Sequence, residues 1–223
     1  MQEAGIKREY SLMTKDKIRW VVLALIFVAT GLSFLDRQVL SMTIIKIQRE
    51  FHISDVQYGM VNTSFLISYA LMFTISGRLI DRIGGKAGMA ISVAIWSVAN
   101  CLHGVAGSFY HLLAFRFLLG IGEGGCFPGA AKTVYEWFDK RERALANGIA
   151  IGGSAIGAVL APPLTTFIAG RYGWRSSFVI PGAIGIIWVL CWMLIPWKKP
   201  PAVKTAPVKR VQTIPMLTLL QNR

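Results

Sequence analysis

Charge is scarce in this chain. Only 16% of its 223 residues are Asp, Glu, Lys or Arg, whereas 54% are hydrophobic. A soluble domain carries about 25% charged residues, so an ordinary water-facing surface is excluded. Cysteine and histidine are sparse too, with three of each. Cys101, Cys126 and Cys191 sit singly in apolar runs, without C-x-x-C or metal-ligand spacing, and read as small core or lipid-facing residues. His52, His103 and His111 form no H-E-x-x-H pair and read as residues of the membrane interface rather than ligands. No nucleophile–base pair, metal cluster or phosphate-binding loop stands out. The sequence therefore points away from an enzyme and implies neither a metal nor a cofactor. A cleavable signal peptide is also missing, because the apolar run after Arg19 is too long for one.

What the chain does have is length in its apolar runs. A membrane helix needs about 20 mostly apolar residues. Six stretches qualify, at about 18–45, 57–80, 87–105, 109–135, 144–169 and 176–197. The expected architecture is an all-α integral membrane protein with short connections and antiparallel neighbouring helices. Residues 1–17 read as a cytoplasmic N-terminal tail, 18–197 as the six-helix domain, and 198–223 as a Pro- and Lys-rich cytoplasmic linker. The apolar run from Met216 to Leu220 reads as the approach to a further element.

The basic balance, 24 Lys and Arg against 11 Asp and Glu, would suit nucleic acid if it formed a patch. Its distribution says otherwise. With the N-terminus inside, only Lys46, Arg49, Arg171 and Arg175 fall in outer loops, and only Arg37 and Arg116 within the membrane. The rest lie in the inner loops and tails. That bias sets both ends in the cytoplasm, marks the lipid bilayer as the partner, and removes the nucleic-acid reading.

The inner loop between the second and third spans reads Gly77-Arg78-Leu79-Ile80-Asp81-Arg82-Ile83-Gly84-Gly85-Lys86. Its glycines permit a tight turn, and Asp81 can cap a helix start or accept from nearby backbone donors. The string resembles the signature loop G-x-L-x-D-R-x-G-x-[RK] of the major facilitator superfamily, at every defined position. The fourth span carries Arg116, Gly120, Gly122 and Glu123. Arg116 and Glu123 share one helix face, about 10 Å apart along the axis. Ionisable groups at such depth are costly and normally face a protein cavity. Together with Phe127-Pro128, Trp137-Phe138, Glu142-Arg143-Ala144, Asp36-Arg37 and Gly173-Trp174-Arg175, the pattern resembles the anion:cation symporter branch, which includes hexuronate and other sugar-acid transporters. Gly153, Gly157 and Ala161, at intervals of four, read as a packing stripe that lets two helix backbones approach closely.

The resemblance implies the N-terminal half of a major-facilitator fold: two inverted three-helix repeats, with the solute site facing a C-terminal six-helix half. It implies proton-coupled symport of a small organic anion across the cell membrane, with Na+ open as the alternative co-ion. Arg37 is the candidate for the substrate carboxylate, since guanidinium and carboxylate pair through two parallel hydrogen bonds. Asp36 and Glu123 are candidate proton carriers, with Arg116 opposing the proton on Glu123 when the two approach. Arg116 is also a candidate substrate residue. Tyr69 and Asn62 are candidate hydroxyl partners, Phe127 a packing wall, and Gly77, Asp81, Arg82, Gly84 and Lys86 the conformational signature. The competing expectation is a six-helix membrane protein that does not transport: a truncated product, or an assembly, regulatory or half-transporter subunit.

Overall fold

A backbone in lipid has no water to bond to, so each apolar run must close its own hydrogen bonds as helix. The computed structural model describes residues 2–197, and all its regular elements are α-helices: α1 (Gln2–Phe51), α2 (Asp55–Ile83), α3 (Gly85–His103), α4 (Phe109–Glu123), α5 (Cys126–Trp137), α6 (Arg143–Tyr172) and α7 (Ser176–Leu194). Helix α1 starts well ahead of the first expected span. The linker expected over 198–223 lies outside the described residues. Helices α1, α2, α3, α6 and α7 are each long and apolar enough to cross a membrane. The remaining span, the fourth, is α4 and α5 in series.

The break in that span has a local cause. Pro128 has no N–H, so the carbonyl four residues earlier, on Gly124, loses its helical partner. Ser76 of α2 donates to that carbonyl instead, Oγ to O 3.2 Å. At the same point the Gly125 N–H turns to Gly122 O at 3.3 Å, tightening the chain for one turn. Helix α6 solves the same problem at Pro162. The Ala158 carbonyl, freed by that proline, accepts from Gln38 Nε2 of α1 at 3.0 Å.

Helices in lipid gain little from apolar contact alone, so close approach and hydrogen bonds decide their packing. The dominant pairings are α1 with α6, α2 with α4, and α3 with α7. On α6, an added Cβ at Gly153 would strike the Phe27 carbonyl and Thr30, and one at Gly157 would strike the Gly31 carbonyl. These glycines are the packing stripe anticipated above. Gly120 and Gly124 play the same part on α4, against Ser68, Phe65, Met72 and the Tyr69 carbonyl of α2.

These pairings express an internal repeat. Take α1–α3 as one unit and α4 through α7 as the other. Exchanging the units carries α1·α6 onto α4·α2 and leaves α3·α7 in place. The sequence follows suit. Lys46, Glu50 and Phe51 on α1 have the spacing and chemistry of Lys132, Glu136 and Trp137 on α5. Arg82, Gly84 and Lys86 correspond to Arg171, Gly173 and Arg175. Gly84 (φ 86°, ψ 162°) and Gly173 (φ 84°, ψ 160°) share a backbone conformation essentially confined to glycine. Lys86, at the start of α3, donates to the Met193 and Ile195 carbonyls ending α7 (3.0 and 2.8 Å). Arg175, at the start of α7, donates to the Ala106 carbonyl just past α3 (3.1 Å). Each unit thus caps the other's last helix.

Two apolar cores result. One gathers Leu23, Ile26, Ala29, Ala99, Leu119 and Trp188. The other gathers Val39, Leu40, Ala106, Leu112, Trp174 and Phe178. The buried polar residues Ser33, Asp36, Asn100, His103 and Arg116 fall between them along α1, α3 and α4. His103 therefore departs from the sequence expectation. It is fully buried rather than interfacial, because its position at the end of α3 lies under α7 and not at the bundle surface.

Candidate functional site

The charged layer centres on one ion pair. Arg37 Nε of α1 donates to Glu123 Oε2 of α4 at 2.6 Å, and Ser33 Oγ donates to the same oxygen at 3.0 Å. Ser33 and Arg37 stand one turn apart, so a single face of α1 presents both donors. The two charges differ in setting. The Glu123 side chain has no exposure, while that of Arg37 is 22% exposed. Arg37 Nη2 and Glu123 Oε1 have no hydrogen-bond partner.

Aromatic rings surround the guanidinium. Its centre lies 4.4 Å from the Tyr69 ring, 4.7 Å from Phe34 and 5.6 Å from Phe65. Tyr69 stacks on Phe65, and Phe127 meets Phe34 edge-on at 6.1 Å. Phe127 also lines a groove of about 270 Å³ with Phe73, Pro128, Asn147 and Ile151. The fold thus brings Arg37, Glu123, Tyr69 and Phe127 to one locality. Asn62 is half-buried on α2, and no hydrogen bond joins it to the cluster among the described residues. Asp36 and Arg116 are buried, and neither pairs with Arg37 or Glu123 within ion-pair distance. Glu123 therefore meets Arg37 from another helix, and not Arg116 from its own.

The signature loop sits at one end of the bundle. Asp81 is still within α2, so it caps no helix start. It accepts from Lys132 Nζ at 2.8 Å, and both side chains are accessible to solvent. The first N–H of α3, on Gly85, is met by Glu136 Oε1 at 3.1 Å instead. Gly77 faces open space, and Gly84 supplies the turn. At the opposite end Glu50 accepts from Arg175 Nη2 (2.6 Å) and Trp174 Nε1 (2.7 Å). Sequence reasoning overlooked Ser33, Phe34, Phe65, Asn100 and Glu136. Asn100 alone carried a signal, as an amide inside an uncharged span.

The layer sets a partly exposed guanidinium against a fully buried carboxylate. The Major Facilitator Superfamily model matches residues 26–223. The galacturonate transporter of Dickeya chrysanthemi is 31% identical over 176 residues, covering 79% of this chain and 51% of that one. The hexuronate transporter of Bacillus subtilis is 32% identical over 205 residues, covering 92% and 48%. Among solved structures, a bacterial homolog to the human lysosomal transporter Spinster, in an inward-facing and occupied conformation, matches with a TM-score of 0.75 and 30% identity, covering 82% and 45%. The chain spans about half the length of the curated relatives it matches.

Proposed function

The chain belongs to the Major Facilitator Superfamily, and from that premise we propose that it forms one wall of a secondary transporter for an organic anion, a hexuronate or another sugar acid first among them. A six-helix C-terminal half forms the other wall. Both ends of the chain face the cytoplasm in the cell membrane, an orientation supported by where its Lys and Arg residues fall.

The Arg37–Glu123 bond carries this reading. An arriving carboxylate competes with Glu123 for the guanidinium, whose side chain is partly exposed. A proton on Glu123 then replaces the cation it has lost, so anion and proton bind together. Asp36 is the second proton carrier, and Arg116 balances charge behind it. Tyr69 and Asn62 meet substrate hydroxyls, with Phe127 as a wall. Gly77, Asp81, Arg82, Gly84 and Lys86 govern the change of state at their end of the bundle. Moving one charge through 100 mV is worth about 2.3 kcal/mol, so co-transported protons let an anion enter against a negative interior.

The full burial of Glu123 and its bond from Ser33 favour a second reading, a fixed lock between α1 and α4 in a protein that does not transport. Galacturonate uptake into proteoliposomes separates the two. Vesicles would hold this chain with and without a C-terminal half, under a pH gradient or a Na+ gradient. Glu123→Gln is expected to keep galacturonate binding and lose pH-driven uptake. Uptake at the wild-type rate would remove the proton role. No binding by wild-type protein would favour the lock.

A further inference from the structure

The Arg37–Glu123 pair leaves four polar side chains of the buried layer unexplained. Asp36 on α1, Asn100 and His103 on α3, and Arg116 on α4 are each at most 1% exposed. Both Asp36 carboxylate oxygens, both Asn100 amide atoms, His103 Nε2, and Arg116 Nε and Nη2 lack hydrogen-bond partners. Asn100 and His103 are one turn apart and share a face of α3. The set lies between the two apolar cores, in a single layer.

The histidine's tautomer follows from its one bond. His103 Nδ1 lies 2.7 Å from the Ala99 carbonyl, which can only accept, so Nδ1 carries the hydrogen. Nε2 is then a buried acceptor. The ring cannot swing to find a donor, because it stacks on Phe178 at 4.8 Å and meets Phe115 at 5.8 Å. The Arg116 guanidinium lies 5.9 Å from the same Phe178 ring. The unmet donors, on Arg116 and Asn100, match the unmet acceptors, on Asp36, Asn100 and His103, and the Asn100 amide approaches the Asp36 carboxylate without closing a bond of ordinary geometry. Buried polar groups left unmade are costly, and a water with two to four polar partners is the usual remedy.

We propose that α1, α3 and α4 enclose a hydration site, in which trapped water joins Asp36 and Asn100 to Arg116 and His103. The other charged or titratable groups facing it are Arg37 of α1, Glu123 of α4, Tyr58 of α2 and Cys101 of α3. Asn100 and His103 act as positioning residues, holding Asp36 and Arg116 apart from the Arg37–Glu123 pair. The site stands independently of any transport activity.

Radiolytic hydroxyl labelling, read by mass spectrometry on purified protein in lipid nanodiscs, tests it directly. Short X-ray pulses generate hydroxyl radicals from water wherever it is held. Phe178 and His103 have no exposure to bulk solvent, so labelling of these two requires internal water. The expected result is labelling of both in the wild type, loss of the Phe178 label in Asn100→Leu/His103→Leu, and its retention in His103→Gln. An unlabelled Phe178 in the wild type overturns the site, whatever the variants do. So does an unchanged label in the double variant, once circular dichroism shows that it is folded.

Discussion

Cutting the Arg37–Glu123 pair from either side should give unequal losses of stability. Arg37→Met leaves Glu123 without exposure, with only Ser33 to bond it. Removing one partner of a buried pair costs about 3–5 kcal/mol, and the electrostatic pull of the buried Arg116 on Glu123 brings the loss toward the lower end. Glu123→Gln is milder. The amide oxygen can still accept from Arg37 and Ser33, so a charge-assisted bond gives way to an ordinary one, a difference of about 1–2 kcal/mol. Arg37 also keeps its partial exposure and its contacts with Tyr69, Phe34 and Phe65. Such rings hold a cation by about 0.5–1 kcal/mol each, more when dry. The double variant removes both charges, so it should lose less than the two singles added, with a coupling of about 0.5–3 kcal/mol. Thermal unfolding of purified protein in mild detergent, with all four proteins at one lipid and detergent ratio, reads the cycle. If Glu123→Gln is the costlier single change, or the coupling is zero, the assigned burial and partners are wrong.

Gly173→Ala should destabilise by about 1–3 kcal/mol although nothing lies within 4 Å of the added carbon, because the cost is in the backbone. Gly84→Ala should do the same at the equivalent turn, and melting curves unchanged in both would refute the strain. Ser76→Ala leaves the Gly124 carbonyl unpartnered and should cost about 1–3 kcal/mol. Adding Pro128→Ala restores an N–H four residues on and should recover much of that loss. A double variant no more stable than Ser76→Ala in the same melting assay would contradict this account of the break in the fourth span.

The six spans were legible because lipid imposes length and hydropathy on each of them, whatever the rest of the fold does. The break after Glu123 was not. Two glycines in an apolar run fit a close crossing as well as a bend, and the deciding partner, Ser76, lies on another helix. The site was half legible for the same reason. Counting along a helix places Arg116 and Glu123 on one face, but cannot show that Glu123 is taken by Arg37. Asp81 was read as a helix cap or an acceptor for nearby backbone donors, yet α2 continues past it, and Glu136 from the fourth span meets the next helix start. Asn100 was passed over and His103 was read as interfacial, because a single polar residue in an apolar span carries no partner in its own sequence neighbourhood. The repeat that the resemblance implied shows in the backbone at Gly84 and Gly173, whose turns share one conformation.

The exchange that carries Lys46 onto Lys132 and Glu50 onto Glu136 also carries Arg37 onto Glu123. Positions related by a two-fold touch one another only near its axis, and these two are hydrogen-bonded. A faithful copy would have set two arginines, or two carboxylates, against each other there, with no room to avoid repulsion. Glu50 and Glu136, at opposite ends of the bundle, could remain alike. At the dyad the two copies had to diverge in sign. The result is a bundle whose helix pairings and glycine turns repeat between its two units but whose central charge does not, with its cation partly open and its anion sealed.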